Sequence, residues 1–300
     1  MNAAAMKLEG VFPPLTTPFA ADESLDLAAL RANIEKYNRT KLAGYVVVGS
    51  TGESVSLREE EKSTVWEAAR AAAGADKVLI AGTGCEATRE TIALTRRAAG
   101  LGYQAAVGRT PAYFTGQMPV AALARHFRAV ADASPIPILL YSVPQFTGLP
   151  LEAPLIARLA EHPNIIGCKE SSGNVGRVGD IVRLAPPDFQ TLVGSATTFY
   201  PSLCLGVVGA VLAVACALPE PCAAVHAAFC QGDHERARRL QRELVEPTVA
   251  VTTRYGIAGL KFAMELLGYR GGPPRAPLLP LAAAAQAELR RVFRPFSASA

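Results

Sequence analysis

A single lysine stands at the end of a short apolar segment, where a charged side chain is costly. Lys169 closes a run that begins at Ile165 and has the length and composition of a buried strand. Of the chain's seven lysines, only this one ends an apolar run, and we predict the other six at element ends or on polar faces. A buried ammonium group must be paired or lose its proton. Lys169 is therefore either an amine that forms a Schiff base with a carbonyl compound, or a structural cation that snorkels or pairs with Glu170.

A tyrosine on the preceding predicted strand can meet this lysine. Alternation along a strand puts Ile165, Gly167 and Lys169 on one face. The same rule puts Leu139 and Tyr141 on one face of the strand before it. A phenol beside an amine can transfer protons in carbonyl chemistry, which favours a catalytic pair. The alternative is a core tyrosine whose hydroxyl bonds to the backbone.

Short apolar segments alternate with amphipathic segments over most of the chain. The predicted strands are 11–17, 44–49, 77–82, 105–110, 136–142, 165–170, 191–194 and 210–214. The predicted helices between and after them are 26–39, 58–73, 88–100, 119–131, 153–161, 176–184, 197–205 and 219–231. Eight such pairs predict an α/β fold, a closed (β/α)8 TIM barrel, with an open doubly wound sheet as the alternative.

Three further predicted helices, 234–245, 258–267 and 281–293, add no strand. We therefore predict a catalytic barrel over residues 1–231 and an appended C-terminal helical segment over residues 232–300. In a barrel the active site lies at the carboxyl ends of the strands. Those ends carry glycines, small hydroxyl residues, two tyrosines and Lys169, which suits carbonyl chemistry better than metal chemistry.

Composition and absent motifs narrow the function further. The 300 residues are half apolar with a net charge of +4, and no basic stripe with interleaved aromatics predicts nucleic-acid binding. Six cysteines form no Cys-x-x-Cys pair, which predicts free thiols and a cytoplasmic location. No uninterrupted apolar segment predicts a membrane span, and no histidine at a strand end predicts a metal site. No Gly-x-Gly-x-x-Gly follows a strand, so NAD is not expected.

Three motifs occur in a characteristic order and spacing. They are Gly49-Ser50-Thr51-Gly52-Glu53, Tyr141-Ser142-Val143-Pro144 and Gly167-Cys168-Lys169-Glu170. With them the chain resembles the dihydrodipicolinate synthase and N-acetylneuraminate lyase superfamily, whose members are class I aldolases that bind pyruvate as a Schiff base. Segments 10–19, 81–86, 134–144, 162–169, 254–261 and 268–278 most resemble the 4-hydroxy-2-oxoglutarate aldolases of that superfamily.

The resemblance implies the catalytic residues. Lys169 is expected to form the imine, and Tyr141 to relay protons and position the keto acid. Thr51 and Tyr113 are expected to extend the relay, with Tyr113 contributed by a neighbouring subunit. Taken alone, Tyr113 could equally be a surface aromatic.

The resemblance also implies the residues that bind substrate. Ser50 and Thr51 are expected to hydrogen-bond the carboxylate next to the imine carbon, although both could merely cap a helix. Ser171 is expected near the distal end of the substrate. Gly194 and Val211 are expected to line the imine.

Two residues depart from the resemblance. Dihydrodipicolinate synthases have an arginine that binds the carboxylate of the aldehyde substrate, and this chain has Phe146 there. A phenyl ring cannot make a bidentate carboxylate contact, which argues against lysine biosynthesis. Arg109 ends the fourth predicted strand, where relatives have an apolar residue. It either replaces that anion contact or pairs with a helix carboxylate.

The sequence thus predicts a lyase that cleaves 4-hydroxy-2-oxoglutarate to pyruvate and glyoxylate, without a cofactor beyond the lysine imine. The resemblance implies a homotetramer, built as a dimer of dimers. The alternatives are an aldolase or dehydratase acting on 2-keto-3-deoxy sugar acids, then a dihydrodipicolinate synthase. A non-catalytic barrel that serves as a binding protein is the most distant alternative.

Overall fold

Eight parallel strands form the centre of the molecule in a computed structural model, which describes residues 6–297. In chain order the strands are β1 (Gly10–Phe12), β2 (Gly44–Val47), β3 (Val78–Gly82), β4 (Ala105–Arg109), β5 (Ile138–Ser142), β6 (Ile165–Glu170), β7 (Gln190–Val193) and β8 (Gly209–Val211). From β2 to β8 each strand pairs with the next, β8 pairs with β1, and an isolated bridge between Pro14, after β1, and Val46 of β2 closes the ring. The predicted TIM barrel is confirmed.

Helices cover the outside of the barrel. They are α1 (Leu27–Tyr37), α2 (Glu59–Ala72), α3 (Thr88–Gly100), α4 (Val120–Ala133), α5 (Pro144–Thr147), α6 (Ala153–Ala160), α7 (Val175–Leu184), α8 (Phe199–Leu203) and α9 (Pro219–Cys230). The sequence did not predict the one-turn helix α5. The predicted helix 197–205 is a 3₁₀ turn followed by the five residues of α8. Among the described residues, no helix is long and apolar enough to cross a membrane.

The C-terminal part consists of α10 (His234–Val249), a π-helical turn (Ala250–Arg254), α11 (Gly256–Leu266) and α12 (Ala283–Ser297). Its buried residues Leu244, Leu260 and Phe293 belong to the same apolar cluster as residues of α1, α2 and β2. The predicted boundary after residue 231 stays a prediction, and residues 1–5 and 298–300 lie outside the described part.

Inward and outward side chains of the strands build separate cores. A cluster that includes Phe12, Val107, Leu139, Tyr141 and Val211 fills the interior of the barrel. Outward side chains pack against the helices in two further clusters. This alternation is the reason that residues paired across neighbouring strands present their side chains to the same face.

One prediction about strand faces is wrong. Ile165 was expected to share the face of Lys169, but it belongs to an outer cluster with Cys168, whereas Ile166 lies inside the barrel. The pairing register shifts between Ile138 and Leu139, because β6 contains a bulge at this point. Beyond the bulge, the expected alternation returns.

Candidate active site

Lys169 and Tyr141 occupy the same level of the barrel interior. They are register partners on β6 and β5, and each is 6% exposed. The amine nitrogen of Lys169 lies 3.9 Å from the centre of the Tyr141 ring. The predicted meeting of these two side chains is therefore present in the fold.

The alternative partner of Lys169 points elsewhere. Glu170 lies on the other face of β6, where its carboxylate lies 3.4 Å from Nε of Arg177 and accepts hydrogen bonds from Ser172. Burial raises the pKa of Glu170, although those hydrogen bonds oppose the shift. Within residues 6–297, no carboxylate lies within ion-pair distance of the Lys169 amine. A salt bridge between Lys169 and Glu170 is excluded.

A cavity opens above Lys169 at the carboxyl ends of β2 to β6. Its polar lining comprises Ser50, Ser54, Arg109, Tyr141 and Lys169, and the remaining wall consists of valines and glycines. Among its described lining residues there is no acidic side chain. Such a cavity suits a small anionic carbonyl compound, which would meet an amine, a phenol and a hydroxyl.

The backbone is strained where β2 enters the loop of residues 48–58, here called the β2–α2 loop. Val48 has φ of +62°, a conformation that β-branched residues rarely adopt and that costs roughly 1–3 kcal/mol. A Cβ on Gly82 would lie only 2.3 Å from the carbonyl oxygen of Val48, so β3 needs glycine here. This close approach places Ser50 at the cavity wall.

Residues of the C-terminal part hold the β2–α2 loop in place. Glu53, which has φ of +54°, accepts a hydrogen bond from the Arg275 backbone at 2.9 Å. Its other carboxylate oxygen lies 2.6 Å from the amine of Lys261. The hydroxyl of Thr17 also donates to the Gly52 carbonyl at 2.7 Å. The loop that carries Ser50 is therefore held by groups on three other segments of the chain, at Thr17, Lys261 and Arg275.

Lys261 corrects the prediction that the other lysines lie at element ends or on polar faces. It is 1% exposed and lies in the middle of α11, whereas Lys77 directly precedes β3, as predicted. Burial lowers the pKa of Lys261, while the adjacent Glu53 carboxylate opposes that shift. The apolar sequence around Lys261 in α11 was the available signal, but nothing in the sequence indicated Glu53 as its partner.

The two other residues predicted for the proton relay lie outside this cavity wall. Thr51 is half-buried and is not among the residues that line the cavity, whereas Ser50 is. Tyr113 is 81% exposed, with its ring edge against Phe114 at a centroid distance of 5.0 Å. An exposed Tyr113 is available to another subunit. Its predicted catalytic role stays a prediction.

Of the residues Ser171, Gly194 and Val211, which were predicted to contact the substrate or line the imine, Gly194 lies against the lysine stem. A Cβ on Gly194 would lie 3.2 Å from Cε of Lys169 and 1.8 Å from Oγ of Ser171, so only glycine fits. The Ser171 hydroxyl is buried and lacks a hydrogen-bond partner within the part of the chain that the structure describes. Val211 belongs to the same interior cluster as Tyr141. Their contacts with substrate stay predictions.

Arg109 has features of both roles that the sequence left open. Its Nη1 lies 2.7 Å from a carboxylate oxygen of Glu86, and it also lines the cavity. The other oxygen of Glu86 accepts backbone hydrogen bonds from Ala112 and Tyr113, each at 2.8 Å. Phe146, on α5, is 71% exposed.

Other reactive residue types are poorly placed for chemistry. Burial raises the pKa of the Cys168 thiol to about 12, and burial lowers the pKa of His126 to about 4. Between residues 6 and 297, no group of three or more His, Cys, Asp or Glu side chains is placed to hold a metal ion. The amine of Lys169 is thus the best-placed nucleophile of the cavity.

Known proteins resemble the chain along almost its whole length. The sequence profile of the "Dihydrodipicolinate synthetase family" matches residues 7–295. The 4-hydroxy-tetrahydrodipicolinate synthase of Methanothrix thermoacetophila is 39% identical over 289 residues, which are 96% of this chain and 97% of that protein. The "Probable 4-hydroxy-2-oxoglutarate aldolase, mitochondrial" of Emericella nidulans is 35% identical over 289 residues, 95% of this chain and 93% of that protein.

A solved structure resembles the fold equally closely. A prophage protein of the dihydrodipicolinic acid synthase family from E. coli K12, in complex with pyruvate, superposes with a TM-score of 0.91 at 28% identity. The match covers 97% of this chain and 99% of that one. The resemblance therefore includes the barrel and the C-terminal helices together.

Proposed function

Because the chain belongs to the dihydrodipicolinate synthetase family of lyases, we propose that it cleaves 4-hydroxy-2-oxoglutarate to pyruvate and glyoxylate. The observation that carries this proposal is the Lys169 amine, which faces the cavity, has no carboxylate partner within residues 6–297, and lies 3.9 Å from the centre of the Tyr141 ring. An amine in this setting can add to a ketone, and the phenol beside it can move protons.

In the proposed reaction, the neutral amine of Lys169 adds to the C2 ketone, and the Tyr141 phenol donates the proton with which the carbinolamine hydroxyl leaves as water, giving a protonated imine and a phenolate. Tyr141, assisted by Thr51 and by Tyr113 of a neighbouring subunit, removes the proton from the 4-hydroxyl group. The C3–C4 bond breaks, glyoxylate leaves, and the electron pair moves into an enamine. Protonation at C3 and addition of water at C2 release pyruvate and restore the amine. The imine serves as the electron sink, so the scheme uses no metal and no organic cofactor.

Polar groups around the imine would hold the substrate. Ser50 and Thr51 would donate hydrogen bonds to the carboxylate beside the imine carbon, and the buried, unpartnered hydroxyl of Ser171 supports a polar contact further along the substrate. Gly194 and Val211 would leave room for the imine itself. The close approach of Gly194 to Cε of Lys169 supports this arrangement.

The identity of the aldehyde distinguishes this proposal from other activities in the family. Phe146 occupies the position at which synthases of the family have a carboxylate-binding arginine, and its ring is 71% exposed. The Emericella nidulans relative supports the aldolase activity. The second candidate is 4-hydroxy-tetrahydrodipicolinate synthesis, which the relative from Methanothrix thermoacetophila favours by its higher identity.

Trapping followed by a substrate screen tests the proposal. Borohydride treatment with pyruvate should add a reduced pyruvate adduct to the peptide that contains Lys169, as detected by mass spectrometry. The enzyme should then release pyruvate from 4-hydroxy-2-oxoglutarate. The enzyme could instead cleave or dehydrate only 2-keto-3-deoxy sugar acids, or only condense pyruvate with aspartate semialdehyde. Either result would change the assigned substrate and leave the Schiff-base mechanism in place. The absence of an adduct at Lys169 would refute the mechanism and favour a non-catalytic barrel that serves as a binding protein.

We further propose a homotetramer, a dimer of dimers, in the cytoplasm. Support comes from the exposed rings of Tyr113 and Phe114 at the catalytic end of the barrel. Light scattering with activity measured on the same fractions tests the assembly. A fully active monomer would refute the contribution of Tyr113 from a neighbour.

A further inference from the structure

Arg109 lies at the level of the reacting groups. It ends β4 and is the register partner of Tyr141, which in turn is the register partner of Lys169. Paired residues of a parallel sheet present their side chains to the same face, so all three point into the cavity mouth. Two strand spacings, about 10 Å in total, separate the backbone of Arg109 from that of Lys169. Two long side chains and a five-carbon keto acid can bridge this separation.

The fold makes room for the Arg109 side chain and orients it. A Cβ on Gly84 would lie 2.9 Å from Cγ and 2.5 Å from the backbone nitrogen of Arg109, so glycine lets the side chain cross the end of β3. Its Nη1 donates to Glu86 at 2.7 Å and to the Thr110 carbonyl at 3.1 Å. Neither Nη2 nor Nε of Arg109 has a hydrogen-bond partner between residues 6 and 297. Half of the guanidinium is thus anchored and half is open.

If the Arg109–Glu86 ion pair only held the loop, Arg109 would not need to be the more buried of the two partners. The Arg109 side chain is 17% exposed, whereas Glu86, its partner, is 45% exposed. The cation therefore lies deeper than the carboxylate that holds it. Apart from Lys169, it is the only cation among the described residues that line the cavity. Lys169 becomes the protonated imine beside the first carboxylate of the substrate, which leaves Arg109 as the cation for a second negative charge.

We propose that Arg109 binds the distal carboxylate of the substrate and makes the site selective for dicarboxylic 4-hydroxy-2-keto acids. This inference rests on the proposed function. Guanidinium presents parallel N–H groups that match a carboxylate, and hydrogen bonds between charged groups are stronger than those between neutral groups. Glu86 is a positioning residue, because it fixes the guanidinium without touching substrate.

Two substrates that differ only at the distal group test the inference. Arg109→Gln should lower kcat/KM for 4-hydroxy-2-oxoglutarate by about 10- to 100-fold. The same variant should change kcat/KM for 4-hydroxy-2-oxopentanoate, which has a methyl group in place of the distal carboxylate, by no more than about 3-fold. Arg109→Lys should fall between wild type and Arg109→Gln, because it keeps the charge and loses the bidentate geometry. Equal losses on both substrates would overturn the inference and assign Arg109 to loop structure.

Arg177 supplies a matched control. Its side chain is 16% exposed and pairs with Glu152 at 3.0 Å, but it lies outside the cavity. Arg177→Gln should change kcat/KM for the two substrates by the same factor. A preference shift as large as that of Arg109→Gln would show that the effect is unspecific.

A wild-type measurement keeps the inference testable if Arg109 variants do not fold. Borohydride trapping at Lys169 should reach half-saturation at roughly tenfold lower concentration of 2-oxoglutarate than of 2-oxopentanoate, which lacks the distal carboxylate. Equal half-saturation would overturn the selectivity. Failure of pyruvate to react at Lys169 would refute the proposed function, whereas normal pyruvate trapping without preference would refute only this inference.

Discussion

Two buried lysines, one at the barrel mouth and one beside the β2–α2 loop, differ in the groups that surround their amines. Lys261 lies 2.6 Å from the Glu53 carboxylate and 2.9 Å from the Pro273 carbonyl, in a site that is closed to solvent. Lys169 faces a cavity and has no carboxylate at ion-pair distance within the described chain. Each amine lies over an aromatic ring, Phe19 for Lys261 and Tyr141 for Lys169. The ring is thus common to both regions, and the carboxylate is what differs.

That difference bears on what each amine can do. A paired carboxylate favours the protonated amine, which cannot attack a ketone. An amine that faces a cavity without such a partner is accessible to a carbonyl compound, to which it can add. The two regions still cooperate, because Lys261 holds Glu53 and Glu53 follows Ser50 and Thr51 in the loop that would bind the keto acid.

The largest effect is expected at Lys169. Lys169→Met should abolish imine trapping and turnover, because no amine remains at the cavity. Its free energy of unfolding should stay within about 1.5 kcal/mol of wild type, since methionine fills a similar volume. Lys77→Met is the control: that buried amine contacts Asp76 and the carbonyl of Leu42, away from the cavity, and imine trapping should persist. Trapping at another lysine in Lys169→Met would contradict the assignment.

The next largest effect is expected at Lys261, and it should appear in stability. Lys261→Met leaves the carboxylate of Glu53 buried without its cation, which costs about 3–5 kcal/mol. Urea unfolding at neutral pH measures this loss. Imine trapping at Lys169 should survive at saturating pyruvate.

A second substitution separates charge from packing in this region. Adding Glu53→Gln to Lys261→Met removes the unpaired charge and should recover part of the lost stability. If the double variant is no more stable than Lys261→Met, the loss comes from packing in α11 rather than from the carboxylate. If Lys261→Met unfolds like wild type, the contrast between the two lysines fails.

Tyr141 allows the ring and the hydroxyl to be tested separately. Tyr141→Phe keeps a ring beneath the Lys169 amine and removes the proton carrier, so turnover should fall by about 10²-fold, while the imine still forms. Tyr103→Phe is a suitable control, because that buried hydroxyl donates to the Trp66 carbonyl far from the cavity. Unchanged turnover in Tyr141→Phe would remove the phenol from the relay.

The contrast between the lysines also shows what sequence could predict. Lys169 was recognisable because it follows an apolar strand, and its partner Tyr141 follows from strand alternation. Lys261 was not recognisable as a buried, paired cation, because Glu53, whose carboxylate pairs with it, lies 208 positions earlier in the chain. Only the fold brings the two residues together. Tyr113 shows a different limit, because its exposed ring would act through an assembly that one chain does not contain.

Local geometry explains the remaining differences. The first strand was predicted as 11–17 but ends at Phe12, because Pro13 and Pro14 cannot donate backbone hydrogen bonds to a neighbouring strand. The bulge in β6 moved Ile165 to the outer face, and no residue type in that apolar run marks a bulge. Hydrophobicity therefore located the strands and the reactive lysine, while pairing register and long-range contacts required the structure.

His126 is a further buried basic group and should give the smallest effect. It stays neutral: burial lowers its pKa from 6.5 to about 4, and Arg109 adds to that shift while Glu86 opposes it. Below pH 6.5 the unfolded chain binds a proton that the folded chain does not bind until about pH 4, so stability falls as the pH falls. His126→Asn, which can keep the contact with Thr88, should lose about 2 kcal/mol less stability between pH 7 and pH 5 than wild type. Urea unfolding of both proteins at the two pH values measures this, and equal losses would show that His126 does not set the acid sensitivity.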